Sequence, residues 1–215
     1  MSDKSVKVVI LGDSGIGKTS LIQRYVNHKN EKQNTTLGAI FFQLFHTFKT
    51  DDGETIKLPI QYWDTAGQER YHALIPMYVR NSDFIIICFD LANIVSFANL
   101  KTWVDLAKTN IKNCKYVLVG CKDDIEFKRE PSEREINQFI EEYIPGSKFF
   151  KTSSKTGKNV DKFFSFIKKE LEDVGKRRVF FNSLQINNHS IQVGRDECKS
   201  NTYYELGGKI NNCCF

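Results

Sequence analysis

Residues Gly12-Asp13-Ser14-Gly15-Ile16-Gly17-Lys18-Thr19, GDSGIGKT, match GxxxxGK[ST] and sit between the apolar run Val8-Val9-Ile10-Leu11 and a helix-like run from Ser20 to Val26. A strand before and a helix after are the setting in which this pattern builds a phosphate-binding loop. Glycines at 12, 15 and 17 let the backbone curl until successive amides point inward, and the helix N-terminus adds its partial positive charge. The segment Asp13, Ser14, Gly15, Ile16, Gly17, Lys18, Thr19 and Ser20 is therefore the candidate cradle of a polyphosphate. Lys18 is placed to reach the β- and γ-phosphates, and Thr19 to ligate magnesium.

The rest of the chain alternates in the same rhythm. Strand-like runs recur at Lys7 to Leu11, Ile40 to Phe48, Ile56 to Trp63, Phe84 to Phe89, Tyr116 to Cys121 and Lys148 to Phe150. Helix-like segments at Lys18 to Val26, Ser96 to Thr109, Ser132 to Tyr143 and Asn159 to Val174 separate most of them. Buried strands alternating with amphipathic helices predict an α/β fold, a mostly parallel sheet with helices on both faces. Ligands of such sheets bind at the carboxyl ends of the strands. Lys49 to Glu54 is too short for a crossover helix and rich in turn formers, so the second and third strands are expected to form an antiparallel hairpin.

A second motif, WDTAGQER at 63 to 70, follows the third strand. Asp64 is the candidate acid for the magnesium ion, directly or through water. Gly67 has no side chain, so its amide can approach a γ-phosphate closely. Gln68 is the natural candidate to orient an attacking water, because a carboxamide donates and accepts at once. Gln68 and Lys18 are thus the candidate catalytic residues.

Composition excludes several classes. The 215 residues suit one domain plus a tail. The net charge is +5, but 31 basic and 26 acidic residues are interspersed and form no basic stripe, which disfavours nucleic acid as a partner. The six cysteines, at 88, 114, 121, 198, 213 and 214, have no metal-ligand spacing and read as reduced, cytosolic thiols. The N-terminus has no apolar signal core, and the run Phe84 to Phe89 is far too short to span a bilayer. From 176 to 215 periodicity is lost, and this stretch reads as a flexible tail after a domain of residues 1 to 175.

GDSGIGKT, TTLG, WDTAGQER, GCKDD and TSSK, in this order and spacing, resemble the Ras-superfamily small GTPases, and WDTAGQER with the cysteine pair at the end resembles the Rab branch. The resemblance covers about residues 5 to 173. It implies a P-loop NTPase small G domain with a six-stranded sheet and five helices, using GTP, GDP and Mg2+ as ligands. It also implies that Thr36, in TTLG, ligates magnesium only when the γ-phosphate is present, so that Thr36 and Gly67 order the switch segments. Asp64 and Thr19 complete the implied metal set.

At the guanine end the resemblance implies that Asp124 accepts from N1 and N2 of the base, that Lys122 lays its aliphatic stem over it, and that Ser153, Ser154 and Lys155 form the second base loop, the amide of Ser154 reaching the carbonyl oxygen. Cys121 stands where the family pattern NKxD has asparagine, and a thiol is only a weak donor and acceptor. Losing one or two such bonds costs about 1 to 3 kcal/mol, or roughly 10- to 100-fold in affinity. Residues Val26 to Asn34 contain no aromatic to cover the base edge, the segment before Thr36 is shorter than usual for Rabs, and the hairpin between Phe41 and Trp63 is longer. His28 reads as a solvated loop residue.

Phe41, Trp63 and Tyr78 match the aromatic triad with which Rabs contact effectors; core aromatics are the alternative. Ile40 stands where many Rabs carry an acid. The terminal Asn212-Cys213-Cys214-Phe215 is not CaaX, and Cys213 and Cys214 resemble the Rab sites of double geranylgeranylation. Two chains meet the two-signal requirement for stable anchoring, with Lys168, Lys169, Lys176, Arg177 and Arg178 as an added attraction or a solvated face. The implied partners are effectors in the GTP state, a GTPase-activating protein, a guanine-nucleotide exchange factor, a GDP-dissociation inhibitor, the prenylation machinery and a membrane surface. The implied place is the cytoplasmic face of vesicle membranes. The competing readings are a Rab-shaped module that holds nucleotide weakly without turnover, and a P-loop ATPase.

Overall fold

In the computed structural model the described residues are 5–27, 38–50, 53–111, 113–126 and 130–176. Thr36, His28, Arg177, Arg178, Cys213 and Cys214 lie outside them. The chain divides into two units, 1–176 and 177–215, and the fold below is that of the first.

Six strands form one sheet: β1 (Val6–Leu11), β2 (Ala39–Lys49), β3 (Thr55–Thr65), β4 (Phe84–Asp90), β5 (Lys115–Cys121) and β6 (Lys148–Lys151). Their order is β2-β3-β1-β4-β5-β6. Only the β2–β3 pair is antiparallel, in unbroken register from Ala39 opposite Thr65 to Lys49 opposite Thr55. Its turn is closed by Thr50 N–H on the Glu54 carbonyl at 2.8 Å. Every other pair is parallel, so the sheet needs helical crossovers and is covered on both faces.

Side chains of β1 alternate between two cores. Val6, Val8 and Ile10 pack with Leu21, Phe163, Phe164 and Ile167 on one face, and Val9 and Leu11 with Ile75, Leu100, Trp103 and Val104 on the other. The first core is closed by α1 (Lys18–Asn27) and by the last helix, 160–176. The second is closed by α2 (Ile75–Val79), α3 (Ile94–Ala98), α4 (Leu100–Asn110) and α5 (Glu133–Tyr143). Ser132 and Glu135 start α5 with a reciprocal capping box.

Two segments depart from expectation. The single helix expected over Ser96 to Thr109 is broken into α3 and α4. The side chain of Asn93 accepts from the Val95 amide, which starts helix earlier than the apolar periodicity indicates, and Asn99 at the junction spends its side chain outside the helix. Residues 69–79, for which periodicity gave no helix, form a 3₁₀ turn (Glu69–Leu74) running into α2, which carries Pro76 in its first turn. Both pieces are too short for amphipathic periodicity to register. Among the described residues no helix is long and apolar enough to cross a membrane.

Candidate active site

The parallel strands bring the loops after β1, β3, β4, β5 and β6 to one edge of the sheet. Gly12 leaves β1 at φ +142°, and a Cβ there would lie 2.3 Å from the Cys88 carbonyl oxygen, so only glycine lets the loop pass over β4. Lys18 is buried, and its ammonium folds back over the loop to donate to the carbonyls of Gly12 (2.6 Å) and Asp13 (2.7 Å). Burial lowers its pKa, opposed chiefly by the negative charge of Asp64. Ser14 and Gly15 are exposed, whereas the side chain of Ile16 joins the core, leaving its backbone for a ligand.

Thr19 donates its hydroxyl to Asp64 Oδ2 at 2.5 Å. Asp64 is fully buried at the end of β3, and its Oδ1 has no hydrogen-bond partner. Desolvation raises its pKa to about 6, against the pull of the Thr19 hydrogen bond and of Lys18. A hydroxyl and a carboxylate oxygen with an unsatisfied lone pair are hard oxygen donors, which fit Mg2+. Among the described residues no group of three or more His, Cys, Asp or Glu side chains gathers to hold a metal.

Gly67 packs on the phosphate loop so closely that a Cβ there would lie 2.3 Å from the Asp13 carbonyl carbon and 2.4 Å from the Gly12 oxygen. Gln68 follows, half-buried, at the start of the 3₁₀ turn. The structure thus brings Lys18, Thr19, Asp64 and Gly67 into one cluster, with Gln68 adjoining it in sequence.

At the other end of the same edge, Ser153 donates to Asp124 Oδ1 at 2.5 Å, and the Lys155 ammonium lies 3.8 Å from Asp124 Oδ2. The carboxylate expected to read guanine is therefore aimed by the second base loop. Ser154 sits in the turn after β6. Lys122 adopts φ +65° and pairs with Asp90 Oδ2 at 2.6 Å, which fixes the course of its stem. Cys121 is 2% exposed beneath the phosphate loop; a Cβ built on Gly17 would lie 3.7 Å from its own. Its thiol hydrogen-bonds that of Cys88, whose pKa burial pushes well up.

Three site residues escaped the sequence reading. Asp90 anchors Lys122, and Asn99 and Trp103 hold the Asp13 carboxylate at 2.8 and 2.7 Å. Asp13 therefore turns its side chain away from the loop mouth and has only its backbone to offer a phosphate. Asp90 ends an apolar strand and Trp103 lies in an apolar helical stripe, so neither carries a local signal. Of the aromatic triad, Phe41 and Trp63 meet edge to face at 5.3 Å, and Trp63 and Tyr78 lie 6.0 Å apart. Phe41 is 46% exposed and so is not a core residue.

The chain is similar to known proteins over most of its length. The Ras family model matches residues 7–173. Ras-related protein Rab5 of Nicotiana tabacum is 41% identical over 169 residues, covering 78% of this chain and 81% of that protein. Ras-related protein RHN1 of Nicotiana plumbaginifolia is 42% identical over 169 residues, with the same coverages of 78% and 81%. Ras-related protein Rab-27B of Rattus norvegicus is 37% identical over 168 residues, covering 74% and 76%. Nothing in these likenesses favours a binding module without turnover. The chain belongs to the Ras family and is a Rab-like small GTPase, which binds GTP and GDP with Mg2+ and hydrolyses GTP.

Proposed function

We propose that this GTPase is a switch of vesicle-mediated membrane traffic, and that the residues of its strand-end loops divide the work as follows. The amides of residues 13 to 20 bind the phosphates, and Lys18 exchanges its two loop carbonyls for β- and γ-phosphate oxygens. Thr19, Asp64 and Thr36 hold the magnesium ion, which when bound neutralises charge developing on the bridging phosphate oxygens. Gly67 presents its amide to the γ-phosphate, and Gln68 orients the attacking water. Asp124, aimed by Ser153 and Lys155, accepts from N1 and N2 of guanine; adenine lacks that pair of donors. Lys122 covers the base, the Ser154 amide meets its carbonyl oxygen, and Cys121 packs under the loop.

Phe41, Trp63 and Tyr78 form the effector face in the GTP state. The domain is residues 1–176, and the tail 177–215 carries Cys213 and Cys214 for double prenylation, anchoring the protein on the cytoplasmic face of vesicle membranes. A GTPase-activating protein, which supplies an arginine to the transition state, an exchange factor and a GDP-dissociation inhibitor regulate the cycle.

The observation that carries this reading is the Thr19–Asp64 bond with its unpartnered Asp64 Oδ1 beside Lys18. The test is single-turnover GTP hydrolysis with and without magnesium. Gln68→Leu is expected to retain GTP and to lose turnover at least about tenfold. Failure of the unaltered protein to retain GTP at millimolar concentration would refute the proposal. Mass spectrometry of the C-terminal peptide from cells is expected to show two prenyl groups, and an unmodified peptide removes the anchor.

A further inference from the structure

We propose that Trp103 is a positioning residue for GTP hydrolysis. Its buried indole links the carboxylate of Asp13, in the phosphate loop, to the ring of His72, in the turn after Gln68, and so keeps the second switch, residues 67–74, in register with the phosphates. The inference rests on the roles given above to the phosphate loop and Gln68.

A carboxylate inside a phosphate loop repels the ligand unless it is turned away and satisfied. Asp13 meets both conditions through one face of one helix. Trp103 Nε1 donates to Oδ1 at 2.7 Å, and Asn99 Nδ2, one helical turn earlier, donates to Oδ2 at 2.8 Å. Trp103 is 1% exposed, so the indole is held by core packing and cannot swing out to water. The other side of Asp13 is equally engaged: its carbonyl accepts from Lys18, and the backbone of Gly67 rests against it. One residue of the loop is thus fixed from α4, from the catalytic lysine and from the second switch.

The indole has a second partner. Its ring lies 4.7 Å from that of His72 at an interplanar angle of 78°, an edge-to-face contact. His72 belongs to the 3₁₀ turn Glu69–Leu74, whose Tyr71 amide bonds back to the Gln68 carbonyl at 3.0 Å. Fixing His72 therefore limits where Gln68 can sit. A core tryptophan needs only some acceptor for its N–H. Here it uses the phosphate loop, and its ring supports the segment that carries the water-orienting glutamine.

Two readouts test this in the full-length protein loaded with GDP or GTP. The first, independent of turnover, is hydrogen exchange of the backbone amides of residues 69–74 in the GDP form. Trp103→Phe, which keeps a ring but loses the N–H, and His72→Leu, which loses the ring contact, are each expected to speed that exchange about tenfold, with the β4 amides unchanged. Asp13→Ala is expected to do the same, and Asp13→Asn, which keeps an acceptor for the indole, is not. The second is hydrolysis at saturating GTP: Trp103→Phe and His72→Leu are expected to lower kcat about tenfold with a much smaller change in GTP affinity.

Exchange and kcat equal to the unaltered protein in Trp103→Phe overturn the proposal, as does exchange rising equally in β4, which marks Trp103 as a packing residue alone. If Trp103→Phe does not fold, His72→Leu, altered at a half-buried site, decides by the same criteria. A protein without turnover, or one indifferent to Gln68→Leu, defeats the role of Gln68, while exchange at 69–74 still decides the role of Trp103.

Discussion

The hydroxyl of Thr19 and the carboxylate of Asp64 meet in a hydrogen bond 2.5 Å long, 45 residues apart in the chain, where the ends of β1 and β3 lie side by side. The bond satisfies Oδ2 and leaves Oδ1 buried without a partner. Without metal and nucleotide, this arrangement holds a carboxyl whose pKa burial raises from 3.8 to about 6.

Unfolded chains release the Asp64 proton near the ordinary value, whereas the folded protein keeps it until about pH 6. The stabilisation is therefore complete below about pH 4 and lost as pH rises through about 6. Asp64→Asn removes this dependence, so denaturant unfolding of nucleotide-free protein should show the variant gaining on the parent by about 2 kcal/mol between pH 4 and pH 7. Parallel pH profiles contradict the assignment.

Gly67→Ala forces apart two backbones now in contact, because its Cβ would lie 2.3 Å from the Asp13 carbonyl carbon. The second switch can then no longer close on the phosphate loop. Single-turnover hydrolysis is expected to fall at least about tenfold, with GDP retention less affected. Equal losses in both show that the glycine serves only the loop itself.

Cys121→Asn restores a strong donor and acceptor beneath the phosphate loop in place of a thiol paired with Cys88. Release of a fluorescent GDP analogue should slow about tenfold, the value of one hydrogen bond of about 1.4 kcal/mol. Faster release shows that the Cys88–Cys121 packing outweighs the missing bond.

Ser153→Ala removes the donor that aims Asp124. In competition binding the affinity for GTP should drop about tenfold, while the weak affinity for ATP stays put. Parallel loss of both nucleotides locates the effect in the phosphate half of the site.

Much of this was legible in the sequence. All six strands begin and end within two residues of the runs that announce them; β1, β4 and most of β5 are buried on both faces and so are written as continuous apolar runs, whereas β3 alternates and β2 is largely exposed. The break between α3 and α4 was not legible, since Asn93 and Asn99 act through a cap and a long-range bond. Asp13 was legible as a loop residue, but the destination of its carboxylate was not, because Trp103 lies 90 residues away in a stripe that looks like ordinary core.

The sequence by itself determined the phosphate loop, the second motif, the order of the strands along the chain, and the departure at Cys121. These depend on local requirements: glycine where the backbone must curl or approach closely, and apolar runs where a strand is buried. Only the tertiary structure decided which groups meet, Thr19 with Asp64, Ser153 with Asp124, Lys122 with Asp90 and Trp103 with Asp13. Parallel pairing delivers distant strand ends to one edge, and burial there decides which polar atoms find partners and leaves Asp64 Oδ1 without one.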